Sequence, residues 1–191
     1  MANRSYLYSV NRAADPATVA GVAEWNYDIP LAFKILASGA PALRPSIIWP
    51  DAGKIAIESE YSEGVHKLIG FLARIQHPKA NGLLQKAKEF LESRETRGTS
   101  FILECGEIFD IRPGDLEKRA AQLLSEIQDI DRQVEQLILR VNPGLPPSSS
   151  APTRLIGRLA SVFLKRPRPE ILIQSLGLSN WTNYLFYDPE L

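Results

Sequence analysis

Between Leu116 and Val141 the apolar residues Leu116, Ala120, Leu123, Ile127, Ile130, Val134, Leu137 and Val141 recur at spacings of 4-3-4-3-4-3-4. That repeat fits an α-helix carrying one continuous apolar stripe. An unbroken helix from Asp115 to Val141 would be roughly 40 Å long at 1.5 Å per residue. One seam position holds Ala, Ile, Val and Val and the other Leu, Leu, Ile and Leu, a distribution that suits a two-stranded coiled coil. Leu124 and Ile138 widen the stripe beyond a two-position seam, which predicts packing against two neighbours. The helix is therefore expected to pack mainly within its own chain, with a homodimer compatible but not required. Asn142-Pro143-Gly144 stops it.

The rest of the chain must build around that element. SYLYSV (5–10) reads as a short strand. In DPATVAGVAEW, Asp15 holds an N-cap position and Pro16 the first helical one, so a helix is predicted. Pro30 opens another helix, PLAFKILASG, and APALRP reads as loop. SIIW and KIAIES, separated by Pro50, Asp51 and Gly53, read as two strands joined by a turn. SEGVHKLIGFLARI places Val65, Leu68, Ile69, Leu72 and Ile75 on one helical stripe, and ANGLLQKAKEFLESRE forms a further helix. SFILEC is β-branched and aromatic and reads as strand. After the extended linker PPSSSAP come an amphipathic helix, TRLIGRLASVFL, the breaker KRPRP, a helix in EILIQSLGLSNW, and a final strand or docked tail in NYLFYDPEL.

The expected fold is α+β and helix-dominated: a small sheet from 5–10, 46–49, 54–58 and 100–105, covered by helices on one face. Strands and helices do not alternate regularly enough for a doubly wound sheet. A main domain is expected over 1–141, a Pro/Ser linker over 142–152, and a helical segment over 153–191 that packs back.

Composition narrows the functional classes. Of 191 residues 45% are apolar and 23% charged, which is the balance of a folded protein. Lys plus Arg equals Asp plus Glu, 22 each, so no global field draws the chain to nucleic acid or anionic lipid. MANRSYLYSV lacks the apolar core of a secretory signal, and no run of 18 apolar residues suits a spanning helix. The single cysteine suits a reducing compartment. A cytoplasmic protein without membrane attachment is expected.

That cysteine, Cys105, is the first candidate for chemistry. In a strand its face is shared with Phe101 and Leu103, while Ile102 and Glu104 face the other way. Glu104, Glu107 and Asp110 surround it with negative charge, which opposes a reactive thiolate. Cys105 is therefore expected to be core. Glu104, Glu107 and Asp110, with His66, form a second candidate, a carboxylate cluster for acid/base work or a bound ligand. Two histidines eleven apart, His66 and His77, do not have a zinc spacing, so neither metal nor cofactor is expected. Phosphate-loop, dinucleotide, nucleophile-elbow and metalloprotease motifs are absent from the sequence.

Aromatic residues gather early: Tyr6, Tyr8, Trp25, Tyr27, Trp49 and Tyr61. Tyr and Trp offer large contact area with a polar tip, so these six are the candidate protein-binding residues. Arg140, Arg154, Arg158, Lys165, Arg166 and Arg168 make a basic stretch. It serves either as a patch for an acidic partner or as a complement to the acidic helix before it; the second is favoured and nucleic acid is not expected.

NRSYLYS, AEWNYDIPLAFKILASG and FILECGEIFD together resemble a family of uncharacterised bacterial proteins over roughly residues 3–140. The family carries no assigned activity. The resemblance implies a bacterial cytoplasmic protein, and small proteins of this kind include immunity partners of toxins. The leading expectation is a protein–protein interaction module, immunity-like, rather than an enzyme. The alternative is a small hydrolase or ligand-binding protein built on the acidic cluster.

Overall fold

Alternating apolar residues make the first strand, β1 (Arg4–Asn11), which is central and almost wholly buried. A computed structural model describes residues 3–93, 97–111, 113–142, 169–187 and 189. β1 pairs antiparallel with β2 (Thr18–Asn26), bulging between Leu7 and Tyr8. The Asp15-Pro16 helix signal is thus overturned: Pro16 sits in the hairpin loop and the Val/Ala run becomes β2. β1 needs a partner for its backbone groups, and a long-range ladder outweighs a local cap signal.

α1 (Leu31–Leu36), β3 (Ala42–Arg44) and β4 (Ala56–Glu60) follow. Residues 46–49 are irregular, and the strand expected there lies instead at β3, within APALRP, which reads as loop in the sequence. α2 (Tyr61–Ala73) and α3 (Pro78–Leu91) lead to β5 (Ser100–Glu104). The five strands form one antiparallel sheet in the order β2-β1-β5-β4-β3. Glu58 ties three of them together. Its carboxylate accepts from Arg12 Nε at 3.0 Å and Ser100 Oγ at 2.9 Å and pairs with Arg44 at 3.0 Å.

Period two divides the sheet into two faces. Leu7, Ile57, Phe101 and Leu103 point to the main core, together with Cys105 just beyond β5. That side is covered by helices, α1, α2 and α3 with α4 (Gly106–Asp110) and α5 (Leu116–Gln128). The α+β fold with helices on one face is as expected.

The heptad region differs in one respect. It is two helices, α5 and α6 (Ile130–Val141), separated by Asp129, which caps both. The Asp129 carboxylate makes no cap hydrogen bond and instead pairs with Arg132 at 3.6 Å, while its backbone N–H donates to the Ile127 and Ser125 carbonyls. The stripe nevertheless stays buried in its own chain across the break, at Ala120, Leu123, Ile127, Ile130, Val134, Ile138 and Val141. α7 (Pro169–Gln174) packs on α6 and α3, and Ile173, Leu176 and Leu178 join the core. The predicted helix at TRLIGRLASVFL and the basic stretch from Arg154 to Arg168 lie outside the described residues. Among those described, no helix is long and apolar enough to cross a membrane.

Candidate binding face

The second sheet face carries Tyr6, Tyr8, Val10, Ala56 and Ile102, and among the described residues no helix covers it. Two irregular segments do: residues 46–49 from one side and 183–187 from the other. Three of the six candidate aromatic residues meet here. Tyr6 and Tyr8 stack at 6.4 Å, and Tyr187 stands edge-on to Tyr6 at 5.4 Å and to Trp49 at 5.7 Å. Trp49 lies so close over Gly106 that an added Cβ would sit 2.6 Å from its ring.

Glu104 is also on this face and has no solvent exposure. Its carboxylate accepts from Ile47 N–H at 2.7 Å and Ser46 Oγ at 2.9 Å. Ser46 Oγ in turn accepts from Trp49 N–H at 2.8 Å. Burial pushes the Glu104 carboxyl up to about 7, and the bonds from Ile47 and Ser46 only partly oppose it. Residues 46–49 are irregular for this reason: the N–H groups of Ile47, Ile48 and Trp49 are satisfied by the side-chain oxygens of Glu104 and Ser46 rather than by a strand ladder.

Glu107, at the start of α4, is bonded at both oxygens. It accepts from Arg4 N–H at 2.8 Å and from the Tyr6 hydroxyl at 3.1 Å. Burial, then Arg4 and Glu107, act on the Tyr6 phenol, whose pKa is raised overall. Glu107 and the exposed Asp110 line a cavity of about 290 Å³ with Trp49, Ala52, Ile55 and Leu116. His66 lies on α2 and lines a different groove, beside Lys67, Arg74 and Asp131. The four residues of the hydrolase alternative are therefore not brought to one cavity. Among the described residues no three His, Cys, Asp or Glu side chains converge as metal ligands would. Cys105 is fully buried, and its thiol is pushed well up by burial first and by Glu104 second.

The remaining candidate aromatics are dispersed. Tyr61 is core, stacked on Phe101 at 4.4 Å with its hydroxyl donating to the Leu91 carbonyl. Trp25 is half-buried against the main core. Tyr27 is 66% exposed and has a left-handed backbone, φ 64°. A bulky side chain rarely adopts that conformation, so its surroundings must hold it. Tyr27 N–H donates to the Asn3 carbonyl at 2.7 Å. Ser5 Oγ donates to the Asp28 carbonyl, and Ile29 N–H to the Asp28 carboxylate, each at 2.8 Å.

Tyr27 forms one rim of a groove of about 500 Å³ whose floor includes Ile29, Ile108, Phe109 and Leu123. Ile111, 48% exposed, stands on the same groove. Lys34 and Glu126 close it with an ion pair at 2.9 Å. Sequence reasoning named Tyr27 but missed Ile111 and the tail residues Leu185, Phe186 and Tyr187. The only sequence signal for the latter was the aromatic density of NYLFY.

The geometry defines an α+β protein with an irregularly covered sheet face and a separate groove lined by both apolar and charged residues. Over residues 8–144 the chain matches the family described as a domain of unknown function, DUF7822, and it belongs to that family. No curated protein and no solved structure matches it.

Proposed function

We propose that this chain is a protein–protein interaction module that engages its partner through the Tyr27 groove. The observation that carries this reading is Tyr27 itself, an exposed aromatic fixed in a strained conformation by hydrogen bonds on either side. A rigid aromatic loses little freedom on binding, which is the property of an interface anchor. Ile111 adds apolar area beside it, and Lys34, Glu126 and Arg119 supply a charged rim. The partner is another protein in the cytoplasm, where one buried cysteine without an internal disulfide is at home. Because the heptad stripe is used inside the chain, a homodimer is not needed for stability.

The test is capture from the native cell lysate with the wild type and with Tyr27→Ser and Ile111→Ser, both at exposed positions. A protein retained by the wild type and lost with either variant supports the reading, and against that purified protein Tyr27→Ser should weaken Kd by about tenfold or more. Equal recovery of every captured protein by all three would overturn it.

A further inference from the structure

Residues 183–187 do not simply end the fold; they lie in the groove of the second sheet face as a bound peptide would. The chain is anchored first by Trp181, bridged to Ala23, and by Thr182 N–H donating to the Val22 carbonyl at 3.0 Å. It then crosses the sheet over Gly21. A Cβ there would sit 2.8 Å from both the Asn183 carbonyl oxygen and Leu185 Cγ, so only glycine lets the segment come down. Beyond that point side chains of the sheet hold its backbone. Phe186 N–H donates to the Glu24 carboxylate at 3.0 Å, and the Tyr8 hydroxyl donates to the Tyr187 carbonyl at 3.0 Å.

The segment's side chains are read as well. Arg4 lies 4.7 Å over the Phe186 ring, a cation–π contact, and is itself paired with Glu24 at 3.4 Å. Tyr187 fits edge-on between Tyr6 and Trp49. Leu185 packs on the apolar cluster of Tyr6, Tyr8, Val10 and Ile102. Backbone bonds that any extended chain can make, plus sites for particular side chains, are the two components of peptide recognition.

We propose that this face, Arg4, Tyr6, Tyr8, Gly21, Glu24 and Trp49, is a recognition groove for an extended partner segment carrying leucine followed by two aromatics. Residues 185–187 occupy it in cis as the competing ligand. The occupant's chemistry follows from the ligand already seated: Leu185 for the apolar cluster, a ring under Arg4, and a second ring between Tyr6 and Trp49. The cis segment is displaceable without unfolding. Tyr184 is 91% exposed and Phe186 55%, whereas Ile173, Leu176 and Leu178, just before the anchor, are core and stay in place. Tethered at Thr182, the segment acts at an effective concentration on the order of millimolar or above, so the free chain presents a closed groove. A partner's apparent affinity is lowered by the fraction that is closed. This groove is separate from that of Tyr27 and stands or falls independently of it.

The experiment uses the full chain with Phe186→Ser, which loosens the cis ligand at a half-exposed position, and a fluorescein-labelled peptide TNYLFY, the sequence of residues 182–187. Fluorescence anisotropy should show saturable binding to the variant at least tenfold tighter than to the wild type. A peptide with its Phe and second Tyr replaced by Ser should not bind, and Gly21→Val added to Phe186→Ser should abolish binding by filling the groove. Equal affinity for wild type and Phe186→Ser, equal binding of the control peptide, or indifference to Gly21→Val overturns the proposal. Sedimentation showing a wild-type dimer that Phe186→Ser dissociates would also overturn it, by assigning the groove to a second copy. A second readout needs no variant: millimolar peptide should speed amide exchange at Phe186 and leave Ile173 and Leu176 unchanged, and no acceleration at Phe186 counts against cis occupancy.

Discussion

Glu104 is a carboxyl enclosed by the protein and still bonded as an acceptor, and that combination makes stability depend on pH. In the unfolded chain it titrates near 4.5, and in the fold at about 7. Below both values the group is neutral in either state and costs nothing. As pH rises through the window between them the unfolded state ionises first, so the fold loses stability, and above 7 the loss is complete. The difference corresponds to about 3 kcal/mol. Glu104→Gln keeps an acceptor for Ile47 N–H and removes the ionisation. Urea denaturation at pH 4.5 and pH 8 should therefore show the variant gaining about that amount on the wild type as pH rises. A difference between the two proteins that stays constant across the window would rule Glu104 out as its source. Cys105, one residue on, needed only local information to place: period two put it with Phe101 and Leu103, and all three are in the main core.

At the scale of elements, legibility followed the range of the interactions that decide each one. The stripe from Ala120 to Val141 was readable because helix periodicity is local, and the residues it named are largely the buried ones. The break at Asp129 was not, since no Gly or Pro marks it. β2 was lost to a local Asp-Pro signal because its real determinant is β1, on the far side of the hairpin. Residues 46–49 were lost because Glu104, distant in sequence, supplies the acceptor that replaces a ladder. The acidic candidates were legible as residues but not as a site: Glu104 supports a loop, Glu107 and Asp110 share a cavity, and His66 is elsewhere. The stripe also gives a prediction. Ile130 is 4% exposed at the start of α6, so Ile130→Asp places an unpaired charge in the core. It should destabilise the single chain by at least about 3 kcal/mol, seen as a lower urea midpoint and a weakened near-UV signal. A well-folded monomer obtained from a wild-type dimer would show instead that the stripe is an oligomer seam.

For the whole molecule the main asymmetry is between the two sheet faces. One is sealed by helices whose side chains form the larger core, and the other by two short irregular segments held largely by side-chain bonds and aromatic contacts. The two sides should therefore open at different free energies. Amides within β1 and β5, such as Leu7 and Leu103, are paired to strands on both sides and can be released only when the sheet comes apart. Ile47 N–H and Phe186 N–H are bonded instead to the carboxylates of Glu104 and Glu24, and each can be released by lifting a few residues. Native-state hydrogen exchange should thus place the strand amides at the global unfolding free energy and Ile47 and Phe186 several kcal/mol below it, as expected for locally opening units. Added urea sharpens the distinction, because global opening exposes far more surface: strand amides should show a steep denaturant dependence and the two loop amides almost none. If all four exchange with one free energy and one slope, the second face opens only with the whole fold, and a partner could not enter its groove without unfolding the protein.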